Sequence, residues 1–337
     1  MPSTPMTSAA QVGKVQAIDL KTIFQVKPEE VPFLSSLKTE SDLCNQELNS
    51  WLAETFPTVD STATPDGEDV TSYERQDRKE IQAYVHYQRA PYKVTPLANA
   101  NRVAGGINRN ELGRQKMKAL MRLRLKLEQQ FLGSSDTAAD NGTTGYTGRG
   151  VFKWLESSAQ STLPVDSTLR PASTNNHTGS FASITEETLV DQLNSMYADV
   201  RARVEYDMFC GYELKNKIDQ FTLVHPVSSA TSQPKVQYVR QDVSKYGRNV
   251  ELLDISTALV RVHLAHLVDY TTAGAANTYS TKSGVIINLD MWSLQDLIPL
   301  HHEDLPNSGG GKAGYYERVV LFKCGNPKGQ GYIKPTS

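Results

Sequence analysis

Cysteine is scarce in this 337-residue sequence: Cys44, Cys210 and Cys324 lie far apart. No CxxC pair occurs, which excludes a zinc ribbon and a thioredoxin-type redox motif. An odd, sparse count fits a reducing compartment better than a disulfide scaffold. Long apolar runs are missing too. No stretch approaches the roughly 18 uninterrupted apolar residues of a membrane-spanning helix. The opening MPSTPMTSAAQVGK lacks the basic start and apolar run of a secretory signal, so the sequons at Asn141 and Asn176 carry little weight. Charge of one sign is not in excess: 35 Lys and Arg stand against 37 Asp and Glu, a net −2. That argues against binding nucleic acid through the whole surface but leaves room for a local basic face.

Catalytic signatures are equally thin. The run Gly309-Gly310-Gly311-Lys312 imitates a phosphate loop. Ala313 follows the lysine where Ser or Thr is required, and Pro306 stands where the first glycine belongs. Gly142, Gly145, Gly148 and Gly150 do not fit a dinucleotide-binding GxGxxG and read as a mobile loop. His301-His302-Glu303-Asp304 could offer metal ligands, but adjacent residues point apart and no HExxH pattern exists. His263 and His266 sit in a strand-like run and read as satisfied or exposed histidines. No nucleophile elbow is present, and nothing singles out one carboxylate pair for acid–base work. The chain is therefore read as a non-enzyme with no catalytic, cofactor-binding or metal residues.

What is there has a clear order. At about 150 residues per domain the length suggests about two domains, and 39% hydrophobic residues supply a real but lean core. Residues 1 to about 17, rich in Ser, Thr, Pro and Ala, predict a flexible arm. Pro28 and Pro32 break the apolar segment that follows. Leu48, Trp51, Leu52 and Phe56 form another patch. From Tyr73 to Thr95 period-two alternation predicts strand, with Ile81, Ala83, Val85 and Tyr87 on one face and Gln82, Tyr84, His86 and Gln88 on the other. A hairpin this polar has little core to cover and is expected to project. Tyr84, Tyr87 and Tyr92 are candidate interface anchors there, or cross-strand pairs.

The strongest helix runs from about Asn108 to Leu132. Its apolar stripe is Leu112, Ala119, Leu120, Leu123, Leu127 and Phe131, with Asn108 or Asn110 as cap and Gly133 as stop. Its other faces carry Arg114, Lys116, Lys118, Arg122, Arg124 and Lys126 against Glu111 and Glu128. This basic face reads either as solvated or as a surface facing DNA phosphates. Residues 133–150 and 157–183 read as loops. A second helix opens at Ser183 or Thr185, with Leu189, Leu193, Met196 and Val200 as its stripe, and a third is expected over Glu213–Phe221. After Pro226 the pattern turns to strands: VQYV, VELLDI, ALVRVHLAHLVDY, VIINLD and YYERVVLFKC. The class is α+β.

Three segments carry a family resemblance: KPEEVPFLSSLKTE at 27–40; GRQKMKALMRLRLKLEQQFLGS at 113–134; and YGRNVELLDISTALV at 246–260 with VIINLDMWSLQDLIPL at 285–300. In this order and spacing the chain resembles the tailed-bacteriophage major capsid proteins, and within them the myovirus-type proteins. The resemblance implies the fold shared by tailed phages, encapsulins and the herpesvirus shell floor. It implies an N-terminal arm over 1–56 and an extended loop (projecting hairpin) over 57–106. A spine helix and the start of a peripheral domain would span 107–156, an axial domain 157–284, and a C-terminal return to the peripheral domain 285–337. The implied function is self-assembly into hexamers and pentamers of an icosahedral virion head enclosing double-stranded DNA, assembled in the host cytoplasm. The implied partners are other copies of the chain, with decoration, scaffold and portal proteins and non-specific DNA contact also in view, and no cofactor or membrane. An encapsulin-like compartment shell, or an enzyme with an unrecognised site, are the alternatives.

Overall fold

The computed structural model describes residues 31–55, 66–67, 69, 77–100, 111–221, 249–269, 280–306 and 310–335. The expected flexible stretch at residues 1 to about 17, the VQYV strand and the Asn108 and Asn110 caps lie outside them. Helix α1 (Pro32–Ser36) comes first, with Pro32 in the first turn, where a missing N–H leaves no hydrogen bond unmade. Strands β1 (Lys38–Thr39), β2 (Leu48–Ala53), β3 (Lys79–Tyr84) and β4 (His86–Val94) follow. Short α2 (Pro96–Ala100) precedes the long helix α3 (Glu111–Phe131). One-turn α4 (Val151–Trp154) and β5 (Asn176–His177) lead to α5 (Glu186–Val200). Thr185 caps α5 in a reciprocal pair with Thr188, satisfying donors the first turn leaves open. Then come β6 (Val204–Cys210), α6 (Tyr212–Gln220), β7 (Leu252–Asp254), β8 (Ala258–Leu264) and β9 (Gly284–Ile287). Strands β10 (Trp292–Leu305), β11 (Lys312–Cys324) and β12 (Gly331–Ile333) close the series.

These strands form three sheets. One has the order β1-β10-β11-β4, a second β5-β12-β9-β6-β8-β7, and a third is the two-stranded β2-β3. The stretch expected as one projecting hairpin over 57–106 is divided. Strand β3 pairs antiparallel with β2, whereas β4 pairs with β11. The reason is a slip of phase. Ile81, Ala83 and Val85 are buried, and then His86, Ala90, Tyr92 and Val94 take over the buried side. Two adjacent buried residues, Val85 and His86, reverse the faces. Pro91 is tolerated because β4 is an edge strand of its sheet. Strands β10 and β11 join the sheet that packs on α3, but β9 and β12 lie in the six-stranded sheet.

Two hydrophobic cores result. The first gathers Phe33, Leu123, Leu127, Phe131, Trp154, Trp292, Leu321 and Phe322. The second gathers Leu189, Leu193, Met196, Met208, Leu214, Val260 and Ile286. The six-stranded sheet separates and joins them: Phe209, Val285 and Ile287 face the first, while Met208, Cys210 and Ile286 face the second. Both faces of β6 are thus covered over Tyr206–Cys210, where every residue is buried. The α5 stripe holds except at its end, where Val200 is 39% exposed. The hairpin β2–β3 is held at its base by Trp51, whose Nε1 donates to the Cys324 carbonyl at 2.8 Å and whose ring lies 5.9 Å from that of Trp154.

Candidate functional site

In α3, Ala119, Leu123, Leu127 and Phe131 recur every four residues and are all buried. Phe131 stacks on Phe322 of β11 at 4.8 Å, and Phe322 stacks in turn on Trp292. With that side fixed on the sheet, Arg114, Lys118, Arg122 and Lys126 form a second row with the same four-residue spacing. Lys118 is held below its usual range by burial and by Arg114 and Arg122, and Lys126 by burial and Arg122. Lys116 is engaged elsewhere: it reaches Asp304 at 3.5 Å and lies over the Tyr92 ring.

The two carboxylates expected opposite these cations are instead buried. Glu111 is 5% and Glu128 1% exposed. Glu128 accepts the N–H groups of Phe33 at 3.0 Å and Leu34 at 2.6 Å, so it caps α1 and fastens it to α3. Burial pushes its carboxyl up to about 7, against the opposing pull of those two N–H groups and Arg124. No sequence signal marked this role, because the residues it binds lie more than ninety positions away.

The histidine-rich end of β10 is consumed within the sheet. His301 reaches Glu317 at 3.0 Å. Glu317 also accepts from Arg89 Nε at 2.6 Å and the Tyr87 hydroxyl at 2.9 Å. His302 stacks on Tyr92, whose hydroxyl donates to Asp304 at 3.0 Å. Burial and Asp304 raise the Tyr92 phenol well above its usual range. Tyr84 lies 5.9 Å from Tyr146. The three tyrosines are therefore partnered inside the chain: Tyr87 across to β11, Tyr92 past β11 to β10, and Tyr84 against Tyr146 outside any strand. Among the described residues no group of three or more His, Cys, Asp and Glu gathers to hold a metal ion.

The remaining motif residues are structural. Gly309 lies outside the described residues. Gly311, at φ +112°, brings its backbone so near Val94 that a Cβ would sit 2.3 Å from that carbonyl. Lys312 opens β11 opposite Val94. His263 Nε2 lies 2.8 Å from Asp207 with its ring stacked on Phe209, and His266 is exposed in a turn. The three cysteines are buried; burial pushes the Cys44 thiol up to about 11 and Cys210 up to about 12.

The 133–150 segment, expected as a mobile loop, is tied down by one buried knot that sequence reading missed. Arg149, fully buried, pairs with Asp136 at 2.9 Å, donates to the Thr162 and Leu163 carbonyls and stacks on Trp154. Although burial acts against it, the Asp136 carboxyl is held below its usual range by Arg149, Ser161 and two backbone N–H groups. Gly150 beside it admits no side chain, since a Cβ would lie 2.2 Å from the Gly133 carbonyl.

Among the described residues the geometry offers surfaces and no gathered reaction centre. The fold is similar to the capsid subunit of cyanophage A-1(L), at 11% identity and TM-score 0.65, covering 97% of this chain and 98% of that one. It is similar to the capsid of cyanophage P-SCSP1u (12% identity, TM-score 0.57, 98% and 93% covered). The capsid of a native GTA particle is also similar (12%, TM-score 0.57, 99% and 100% covered). No curated protein matches the sequence significantly. The SU10 major capsid protein family matches residues 9–337. Nearly the whole sequence carries that match and the chain has the tailed-phage capsid fold, so it belongs to the SU10 major capsid protein family: it is a phage major capsid protein, a structural component of the virion and not an enzyme.

Proposed function

We propose that this capsid protein assembles into hexamers and pentamers of an icosahedral head that encloses double-stranded DNA. The observation that carries this reading is the family match over residues 9–337. The sheet β1-β10-β11-β4 with α3 serves as the peripheral domain and the six-stranded sheet with α5 and α6 as the axial domain. The hairpin β2–β3 serves as the extended loop, and the residues before Val31 as the arm.

Exposed apolar side chains support this reading. Leu52 on the hairpin is 64% exposed and Leu97 of α2 61%; Ile298, Leu300 and Leu305 are exposed along the outer half of β10. A monomer gains nothing from apolar side chains held in water on projecting parts, whereas a neighbouring subunit can cover them. A closed shell needs several such patches, since contacts within and between rings both recur. Scaffold, portal and decoration proteins are further partners in this reading, and assembly takes place in the host cytoplasm.

Expression of the chain alone, followed by negative-stain imaging and light scattering, tests the proposal. Uniform particles of tens of nanometres are expected. A small oligomer that persists at high concentration, even with portal and scaffold proteins supplied, would overturn it.

A further inference from the structure

Like charges four residues apart on a helix repel and destabilise it. Helix α3 nonetheless carries Arg114, Lys118, Arg122 and Lys126 in one such row, spanning about 18 Å at helical rise. The acidic side chains that could neutralise the row are committed elsewhere. Glu128 is buried under α1, Asp304 holds Lys116, and Glu317 holds Arg89 and His301. Arg114 reaches Glu111 only at 4.0 Å. Lys126 donates to the Arg89 carbonyl, which leaves its charge uncompensated. Among the described residues Lys118 and Arg122 have no ion pair. Partial burial and mutual repulsion already depress Lys118 and Lys126, so an external anion relieves a standing cost. The net charge of −2 shows that the row is a local feature and not a general basic character.

We propose that the Lys118–Arg122–Lys126 row, with Arg114 at its end, is a sequence-independent docking rail for the phosphate backbone of double-stranded DNA. This rests on the reading that the shell encloses DNA. Over the same 18 Å a duplex carries about ten charges, so the row can be fully matched without base contacts. A polyanion of regular pitch fits a regular row of cations better than single small anions do.

The test titrates the full-length protein against a short labelled DNA duplex of mixed sequence over a series of potassium chloride concentrations, reading anisotropy. The triple variant Lys118→Gln/Arg122→Gln/Lys126→Gln should bind more weakly, with a salt slope shallower by about 2.7, and each single substitution by about 0.9. Lys118→Arg/Lys126→Arg should keep the slope. Arg203→Gln/Arg261→Gln, on exposed cations paired to Asp254 and Glu205, should leave it unchanged. The single substitutions decide the matter should the triple variant fail to fold. A slope unmoved by substitution in the row, or moved equally by the control pair, would overturn the proposal. So would capture of an acidic protein by the row with the DNA slope unchanged. Particle sizing of the wild type separates the two readings: no shell with a row-dependent slope sinks the shell, and shells with a row-independent slope sink the rail.

Discussion

Two buried titratable side chains set opposite pH dependences. His86 is buried beside Phe131, with its ring held neutral, and burial pushes it down to about 4. A depressed folded value means its contribution is complete above about pH 6.5 and is lost as pH falls toward 4. Glu128 runs the other way: its raised value means its contribution is complete below about pH 4.5 and is lost as pH rises through 7. Each shift corresponds to roughly 3 kcal/mol. Across the shared window the two slopes have opposite sign, so each offsets the other in the wild type. Glu128→Gln, whose single amide oxygen keeps an acceptor for one of the two N–H groups, should unmask His86: thermal melts should then show stability falling as pH drops from 6.5 to 4.5. His86→Phe should show the reverse, with stability falling as pH rises from 4.5 to 7. If both variants track the wild type across that window, the opposing contributions do not exist. Arg149 makes a third residue-scale prediction. Arg149→Met strands Asp136 and should cost roughly 3–5 kcal/mol in urea unfolding. Arg149→Lys should not rescue it, because the fork that serves Asp136 and two carbonyls has no lysine equivalent.

Strand alternation over 81–94 is visible in the sequence, and so is the α3 stripe, because both follow local periods. The phase slip at Val85–His86 is not visible: a buried histidine reads as polar, and only its place between Phe131 and Gly148 makes it interior. Segment 133–150 misled in the same way. Its apolar residues are few, Ala138, Ala139 and Tyr146, so much of its order comes from Asp136, Arg149 and the Ala138–Thr147 bridge, contacts with no periodic signal. The hairpin β2–β3 depends on a contact of this kind through Trp51. Trp51→Ala should remove the bond to the Cys324 carbonyl and the Trp154 contact, at a cost of up to about 3 kcal/mol for a half-buried ring. Amide exchange should then quicken in Leu48–Ala53 while β11 stays protected, and particle yield should fall. Unchanged exchange over Leu48–Ala53 would show that the hairpin is held by something else.

At the scale of the whole molecule, the six-stranded sheet makes two cores into one unit. A division between peripheral and axial parts invites the expectation that each melts alone. The alternation along β6 argues otherwise, since consecutive residues commit to different cores: Met208 to the second, Phe209 to the first. Neither core can open without exposing one face of the shared sheet. Met208→Ala and Phe209→Ala should each cost several kcal/mol, by the usual cavity penalty, and both should lower the same single calorimetric transition. Two resolved transitions, with Met208→Ala moving one and Phe209→Ala the other, would show the cores to be independent. The distinction matters for a shell. In an assembled shell, load passes from one subunit to the next. A subunit with separable cores would yield at its internal seam before its contacts with neighbours, whereas a single cooperative block makes those contacts the first to give.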